Sequence, residues 1–251
     1  MNRFELELTG KKFLNDNTAH LNFRIISPEK YSFQAGQFLR LHFQQNDQEV
    51  FRSYSIATIF PQEHCVLEDI SMAVSWVEGG LATGVLSSLE HGQSVPASGP
   101  FGRFCLPDTD FKRYFLIATG TGVTPYRAML NELELRLQKG AEVYVVMGAQ
   151  RQNGLLYEQD FLKMAGQYPG FNYVACLSRE QREEPTNYDQ SGYVQQYLQS
   201  IEFNEDSDIT FLCGNPDMID EAFALLKEKG LPVAQIRREK YISPKPRPVR
   251  A

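Results

Sequence analysis

A glycine-rich segment after an apolar run is the first part of the sequence that could do chemistry. The segment consists of Gly120, Thr121, Gly122, Val123, Thr124 and Pro125. Its two glycines would let a ligand approach the backbone, while Thr124 could cap a helix that begins with Pro125. The free amides and positive dipole of such a helix N-terminus suit a pyrophosphate. The segment departs from the GxGxxG nucleotide fingerprint at its proline, so an ordinary strand–helix turn is an equal alternative for it taken alone.

A cation and an aromatic ring alternate in the segment Arg52-Ser53-Tyr54-Ser55, which falls on a predicted strand. Because side chains two residues apart share a strand face, Arg52 and Tyr54 would place a phosphate-binding group beside a flat stacking surface. Ser55 would point to the other face unless the strand ends there. A barrel strand with one surface arginine explains the same residues without a ligand.

A second pair of glycines, Gly79 and Gly80, leads into a short predicted helix. The amides of Leu81, Ala82 and Thr83, together with the Thr83 hydroxyl, could hold another phosphate at the start of that helix. A glycine-rich turn that binds nothing is the alternative.

A fourth segment, Cys213-Gly214-Asn215-Pro216, ends the last predicted parallel strand. Ligands of open α/β sheets bind beyond the carboxyl ends of the strands, and both this segment and GTGVTP lie at such ends. Without a ligand, the cysteine would be a small buried residue.

The periodicity of the apolar residues divides the chain into two halves. Runs with the two-residue period of half-buried strands cover residues 4–8, 19–25, 37–43, 50–56 and 70–77. They predict an antiparallel β-barrel over residues 1–106, with one short helix at 81–89. Largely apolar runs at 114–118, 142–147, 171–177 and 209–213 alternate with helix-period segments at 125–138, 156–167, 193–200 and 216–229. This alternation predicts a doubly wound parallel sheet over residues 112–251.

The composition excludes several classes of protein. The 251 residues carry 25 Lys and Arg against 31 Asp and Glu, a net charge of −6 that argues against a nucleic-acid partner. No apolar run approaches the roughly 20 residues of a membrane span, and the N-terminus lacks a signal-peptide core, so a cytoplasmic protein is expected. The scattered cysteines and histidines exclude a zinc ribbon, a cysteine-ligated iron–sulfur cluster and a dense disulfide framework, and they predict no metal site.

The order and spacing of the four segments resemble the ferredoxin–NADP reductase superfamily, and the resemblance covers nearly the whole chain. Further matching segments are AGQF at 35–38, GPFG at 99–102, LLYE at 155–158, SREQ at 178–181 and CGNPDM at 213–218. The resemblance implies a six-stranded antiparallel flavin-binding barrel followed by an NADP(H)-binding domain. It also implies FAD as the cofactor, with FMN left open, and NADP(H) as the second nucleotide.

In the barrel half, the resemblance implies that Tyr54 stacks on the isoalloxazine, Arg52 holds the flavin phosphate and Ser55 faces flavin N5. The family's second flavin-phosphate element matches Gly80, Leu81, Ala82 and Thr83.

In the second half, the resemblance implies that GTGVTP cradles the pyrophosphate and that Cys213 lies against the nicotinamide. Gly214 and Pro216 are expected to shape the pocket around the nicotinamide, and Asn215 and Met218 are also expected to bind the cofactor. Ser178 and Arg179 follow the third parallel strand, where they could bind the 2′-phosphate of NADPH, and Tyr193 could stack on the adenine. A solvated surface arginine is the alternative for Arg179.

The segment Glu239-Lys240-Tyr241 resembles the ending of plant-type reductases, although ten residues follow it here. Tyr241 is then expected to lie over the flavin, while Ser55, Cys213 and Glu239 surround the hydride path with Glu239 as a proton carrier. The tail at residues 237–251 holds six basic residues and one acid, a net +5. Its end, residues 242–251, is expected either to be an extended basic strip that gates the site or contacts a partner, or to be a frayed terminus.

The resemblance implies electron exchange between NADP(H) and a small one-electron carrier, through hydride transfer between nicotinamide C4 and flavin N5. The carrier, ferredoxin or flavodoxin, is expected to be a separate molecule because no CxxxxCxxC module is present. The alternatives are the reductase component of an oxygenase, a free-flavin reductase, and a non-catalytic electron-transfer subunit. The sequence leaves the oligomeric state open, with a monomer as the default.

Overall fold

A computed structural model of the chain describes residues 3–27, 30–61 and 64–242, with only the backbone at residues 64 and 65. The first domain consists of β1 (Arg3–Asn15), β2 (Thr18–Ile26), β3 (Ser32–Gln34), β4 (Phe38–Gln45), β5 (Gln48–Ser55), β6 (His64–Val66), β7 (Asp69–Ser75), α1 (Leu81–Ser88) and β8 (Ser94–Phe101). The predicted short helix is therefore present as α1, directly after Gly79 and Gly80.

The larger sheet of this domain is antiparallel, with the strand order β5-β4-β8-β1-β2-β7. An isolated bridge between Ile56, directly after β5, and Met72 in β7 joins the two edges of the sheet. Beside the bridge, the Ala57 amide donates a hydrogen bond to the Ser71 carbonyl at 2.7 Å. The sheet is thus closed into a six-stranded barrel, as predicted, and residues such as Leu41 fill its interior.

The second domain is built around a parallel sheet with helices on both faces. Its elements are β9 (Arg113–Thr119), α2 (Thr124–Ala128), α3 (Leu130–Gln138), β10 (Glu142–Ala149), α4 (Glu158–Gln167), β11 (Phe171–Leu177), β12 (Asp189–Ser191), α5 (Val194–Gln199), β13 (Asp208–Gly214), α6 (Pro216–Glu228) and β14 (Ile236–Lys240). The strand order is β12-β11-β10-β9-β13-β14 and the pairs are parallel. The strand order reverses between β9 and β13, which confirms the doubly wound sheet and creates a switch point where ligands bind.

The helix predicted over residues 125–138 is divided. Residues 120–123 form a 3₁₀ turn, α2 follows directly, and Met129 separates α2 from α3. The expectation that Thr124 caps the helix is wrong, because Thr124 already has helical angles (φ −54°, ψ −49°) and its side chain is buried. The 3₁₀ turn starts the helical path at Gly120, five residues before the predicted start at Pro125, and Thr124 is buried in the core as a result.

The two domains share a network of polar contacts that fixes their orientation. Arg127 of α2 donates one hydrogen bond to the Ala57 carbonyl in the barrel and another to the Asp160 carboxylate at 2.6 Å. Its guanidinium also lies over the Tyr157 ring, 4.8 Å from the centroid. The Tyr157 hydroxyl is hydrogen-bonded in turn to Nδ1 of His20 in β2 at 2.7 Å. These contacts hold the end of β5 close to the carboxyl ends of β13 and β14.

Candidate active site

The N-terminus of α1 presents unpaired amides at a tight turn. Gly80 is the N-cap residue, no side chain in the described part of the chain caps the helix, and the first turn of the helix contains no acidic residue. The Thr83 hydroxyl accepts a hydrogen bond from the Val77 amide at 2.8 Å, so its own proton is available to a ligand. A Cβ at Gly80 would lie 2.9 Å from the Val77 carbonyl oxygen, which explains the glycine. The amides of Leu81 and Ala82 and the helix dipole therefore suit a phosphate.

The predicted cation and ring lie side by side on β5. Arg52 and Tyr54 share one face of the strand. Their register partners on the neighbouring strand β4 are Leu41 and Leu39. The Arg52 guanidinium donates to the Phe51 carbonyl at 2.8 Å and meets no carboxylate among the described residues. Tyr54 packs against the barrel core, and burial raises the pKa of its hydroxyl to about 12, so it is a neutral flat surface. A free guanidinium beside this ring fits the phosphate and ring of FAD.

Four residues that the sequence assigned to catalysis meet where the two domains join. The Ser55 hydroxyl, at the end of β5, donates to the Glu239 carboxylate at 3.3 Å and is hydrogen-bonded to the Tyr241 hydroxyl. The Tyr241 hydroxyl also reaches the Cys213 thiol, while Cys213 is the register partner of Glu239 in the β13–β14 pair. The Tyr241 amide donates to the Gly214 carbonyl at 2.8 Å, which fixes the chain after β14. The structure thus brings the four side chains together, and their roles remain predictions.

Burial raises the pKa values of the three titratable residues of this cluster by different amounts. It raises the pKa of Glu239 to about 7, against a smaller opposing effect of the hydrogen bond from Ser55. Burial, and then the nearby Glu239 carboxylate, raises the pKa of the Cys213 thiol well above its ordinary value. The pKa of Tyr241 is raised in the same way by burial. Glu239 is therefore the member of the cluster that can exchange a proton near neutral pH.

A cleft of about 850 Å³ lies beyond the carboxyl ends of β9, β10, β11 and β13. Five predicted nucleotide-binding residues line it, namely Gly120, Ser178, Tyr193, Asn215 and Met218. The Asn215 side chain accepts hydrogen bonds from the amides of Asp217 and Met218, so it caps α6 at the edge of the cleft. A cleft of this volume at the switch point of a doubly wound sheet suits a dinucleotide.

Other predicted nucleotide-binding residues do not line the cleft. Gly122, Thr124 and Pro125 are buried and do not line the cleft, so their assignment as ligand contacts stays a prediction. A Cβ at Gly122 would lie 2.3 Å from the Cys213 carbonyl oxygen, so this glycine packs the turn against β13 instead. The cleft lining also lacks five further predicted residues, namely Thr121, Arg179, Cys213, Gly214 and Pro216.

Arg179 lies beside the cleft rather than in its wall. Its amide donates to the Gln150 carbonyl at 3.0 Å, and its side chain is exposed without an ion-pair partner among the described residues. The guanidinium of Arg151, which was not among the predicted residues, does line the cleft and has no ion-pair partner within the described ranges. Arg151 follows β10 as Arg179 follows β11, so the rule that pointed to Arg179 could also have found it.

The expectations about metal sites, membrane spans and the C-terminal tail can be compared with the described residues. Among the described residues, no group of three or more ligating side chains could hold a metal ion. None of the helices within the described ranges is long and apolar enough to span a membrane. The expected basic strip at the chain end lies outside the described residues from 243 onward.

Two family models match successive parts of the chain. The oxidoreductase FAD-binding domain covers residues 5–105 and the oxidoreductase NAD-binding domain covers residues 116–223. Ferredoxin–NADP reductase B of Sorangium cellulosum is 29% identical over 245 residues, which are 95% of this chain and 97% of the relative. This chain belongs to the ferredoxin reductase-like family. It is a flavin-dependent NAD(P)H oxidoreductase, and the expected cofactors, FAD and a nicotinamide nucleotide, are confirmed.

Other similar proteins place this ferredoxin reductase-like chain among several kinds of electron-transfer protein. The toluate 1,2-dioxygenase electron transfer component of Pseudomonas putida is 27% identical, over 95% of this chain and 67% of the relative. Among solved structures, a ferredoxin NADP+ reductase from Neisseria gonorrhoeae has a TM-score of 0.79 at 20% identity, covering 96% of this chain and 99% of that one. The Amycolatopsis cytochrome P450 reductase GcoB has a TM-score of 0.80 at 24% identity, and the match covers 95% of this chain and 69% of that one.

Proposed function

We propose that this protein passes electrons from NADPH to a separate ferredoxin or flavodoxin. The observation that supports this most is the meeting of Ser55, Cys213, Glu239 and Tyr241 where the end of β5 lies against the carboxyl ends of β13 and β14. A relative named as a ferredoxin–NADP reductase also matches the chain over almost its full length. We further propose a cytoplasmic location, as expected for an enzyme that uses this nucleotide.

The proposed mechanism divides the work between two sets of residues. When bound, FAD accepts two electrons together from the reduced nicotinamide and releases them singly. Arg52, Tyr54 and the N-terminus of α1 bind and orient the flavin, while the cleft orients the nucleotide. Ser55 and Glu239 carry a proton between the reacting edge and solvent. Cys213 and Tyr241 stay protonated at neutral pH and exclude water.

The runner-up function is that of a reductase component of an oxygenase. Three relatives named as oxygenase or hydroxylase components share 26–30% identity with this chain, and the chain covers 58–67% of their lengths. Turnover of purified protein with ferredoxin, flavodoxin, free flavin and an oxygenase component as acceptors discriminates between the two functions. Reduction of ferredoxin or flavodoxin at the highest kcat/KM supports the proposal, and a clear preference for the oxygenase component contradicts it.

We expect the purified protein to be yellow with one bound FAD, and Tyr54→Ala to lose much of that flavin. Loss of the ring removes a stacking contribution of about 0.5–1.5 kcal/mol, in addition to the binding free energy that comes from the buried apolar area. The measurement is FAD dissociation followed by flavin fluorescence. Phe51→Ala, the neighbouring ring on the opposite face of β5, is the matched control and should retain FAD. A colourless protein that neither FAD nor FMN can reconstitute would contradict the proposed function.

We expect a preference for NADPH over NADH that depends on Arg179 and Arg151. Each guanidinium can form a charge-assisted hydrogen bond with the 2′-phosphate, and such bonds contribute about 1.5–3 kcal/mol. Arg179→Ala and Arg151→Ala should therefore lower kcat/KM for NADPH at least about tenfold and leave NADH nearly unchanged. Arg103→Ala, which removes an exposed cation away from the cleft, is the control. Equal wild-type efficiency with both nucleotides would show the preference to be wrong.

A further inference from the structure

The hairpin between β1 and β2 extends from the FAD domain to the nucleotide cleft of the other domain. Beyond Glu7, β1 no longer pairs with β8, but it continues to pair with β2 as far as Asn15. The turn of this hairpin therefore reaches the wall of the cleft. The hairpin turn (Asn15, Asp16 and Asn17) lines the same cleft as Ser178.

A hydrogen bond across the cleft joins the hairpin turn to the other domain. The Asn15 side-chain amide donates to the Asn153 carbonyl at 3.0 Å, while its oxygen accepts from the Asn17 amide at 3.1 Å. The Asn17 carbonyl accepts in turn from the Trp76 amide at 2.7 Å, so the turn is held by the barrel. Asn153 lies two residues after Arg151, in the 3₁₀ turn that follows β10. Asn15 therefore restrains the loop that carries Arg151.

The hairpin turn also introduces a negative charge into the cleft. The exposed Asp16 carboxylate has no hydrogen-bond or ion-pair partner among the described residues, and it shares the cleft with Arg151, Asp217 and Glu221. A 2′-phosphate adds about 1.5–2 negative charges to a nucleotide at pH 7. With a nucleotide in this cleft, Asp16 would repel NADPH more strongly than NADH, and this repulsion would oppose the attraction by Arg151.

We propose that the hairpin turn is the outer wall of the nicotinamide-nucleotide site. In this proposal Asn15 is a positioning residue for the Arg151 loop, and Asp16 is a specificity residue that limits the preference for the phosphorylated nucleotide. The inference rests on the proposed function, because it needs a nucleotide in the cleft. It adds a barrel contribution to a site whose other walls come from the parallel-sheet domain.

The first test replaces Asn15 by alanine and compares KM with kcat. Loss of one net hydrogen bond should raise KM for NADPH about two- to fivefold, with kcat and FAD content unchanged. Gln45→Ala, which removes an exposed amide side chain at the end of β4 and outside the cleft lining, is the matched control. Unchanged KM in Asn15→Ala, or a loss of FAD or kcat equal to the rise in KM, would overturn the positioning role.

The second test replaces Asp16 by asparagine and measures both nucleotides at low and high salt. The NADPH-to-NADH ratio of kcat/KM should rise about two- to fivefold at low ionic strength and return towards the wild-type ratio at high salt. Asp47→Asn, the same change at the β4–β5 turn, should have no effect. Equal effects on both nucleotides, or none, would overturn the specificity role alone. A wild-type protein whose FAD neither nucleotide reduces would overturn the proposed function and this inference with it.

Discussion

Replacing Glu239 by glutamine should lower the kcat for reduction of a one-electron carrier by about 10²-fold or more, the usual contribution of a positioned general acid or base. Glutamine keeps the volume and can still accept from Ser55, but it cannot take up the proton that leaves when electrons are delivered. This uptake needs the carboxylate form, and burial raises the pKa of Glu239 to about 7. Wild-type kcat should therefore rise with pH through about 7, and the variant should lack this rise.

Rapid-mixing kinetics separate this role from a structural one. Reduction of bound FAD by NADPH in a single turnover should be much less affected by Glu239→Gln than the subsequent reduction of the carrier. Glu228→Gln, an exposed change near the end of α6, is the control. A variant with a wild-type pH profile, or with equal losses in both steps, would contradict proton transfer by Glu239.

The same substitution should make the protein more stable in alkaline solution. The pKa of Glu239 is about 7 in the folded protein, against an ordinary value of 4.5. The folded state then binds more protons than the unfolded state between these values, so the free energy of unfolding falls as the pH rises through this window. A glutamine at this position does not titrate, so it contributes no pH dependence to the free energy of unfolding. The Tm of Glu239→Gln relative to wild type should therefore be higher at pH 8 than at pH 4.5.

Strands that carry the ordinary apolar pattern were predictable from the sequence, and those that lack it were not. All nine predicted strand segments fall on strands, but β3, β6, β8, β12 and β14 were missed. The strand β8 contains Pro96 and Pro100, and prolines argue against a central strand, yet β8 lies between β4 and β1. In β14, only Ile236 is fully buried among mostly charged residues, so apolar periodicity gives no signal there.

The candidate site divides in a similar way. Glycines and charged residues in the four segments pointed to the phosphate-binding turns, because each turn is local in the sequence. The contact between Ser55 and Glu239 joins residues 184 positions apart, and only the family resemblance suggested it. Nothing in the sequence placed Asn15 beside Asn153, because that contact depends on how the two domains pack. The local rule for GTGVTP also failed for Thr124, since the 3₁₀ turn changed which residues face the cleft.

Replacing Gly122 by alanine should disrupt the nucleotide site while FAD stays bound. A methyl group there would lie 2.3 Å from the Cys213 carbonyl oxygen, 2.5 Å from its carbonyl carbon and 2.7 Å from the Gly214 Cα. These are backbone atoms of β13, which is paired with strands on both sides, so they have little freedom to move. Relief of the overlap must displace the 3₁₀ turn, at a typical overpacking cost of about 1–3 kcal/mol. We expect a lower Tm, a higher KM for NADPH and a lower kcat, because Cys213 belongs to the candidate catalytic cluster.

FAD should stay bound in Gly122→Ala, because the proposed flavin-binding groups Arg52, Tyr54 and α1 all belong to the barrel domain. Two matched glycine substitutions calibrate the result. Gly84→Ala lies in α1 with nothing within 4 Å of the new methyl group, so it should be neutral or slightly stabilising. Gly120→Ala also meets no atom within 4 Å, but φ is +54°, so it should cost about 1 kcal/mol through backbone strain alone. If Gly122→Ala matches Gly84→Ala in Tm, KM and kcat, the turn does not pack against β13 in the way that brings the nucleotide beside Cys213.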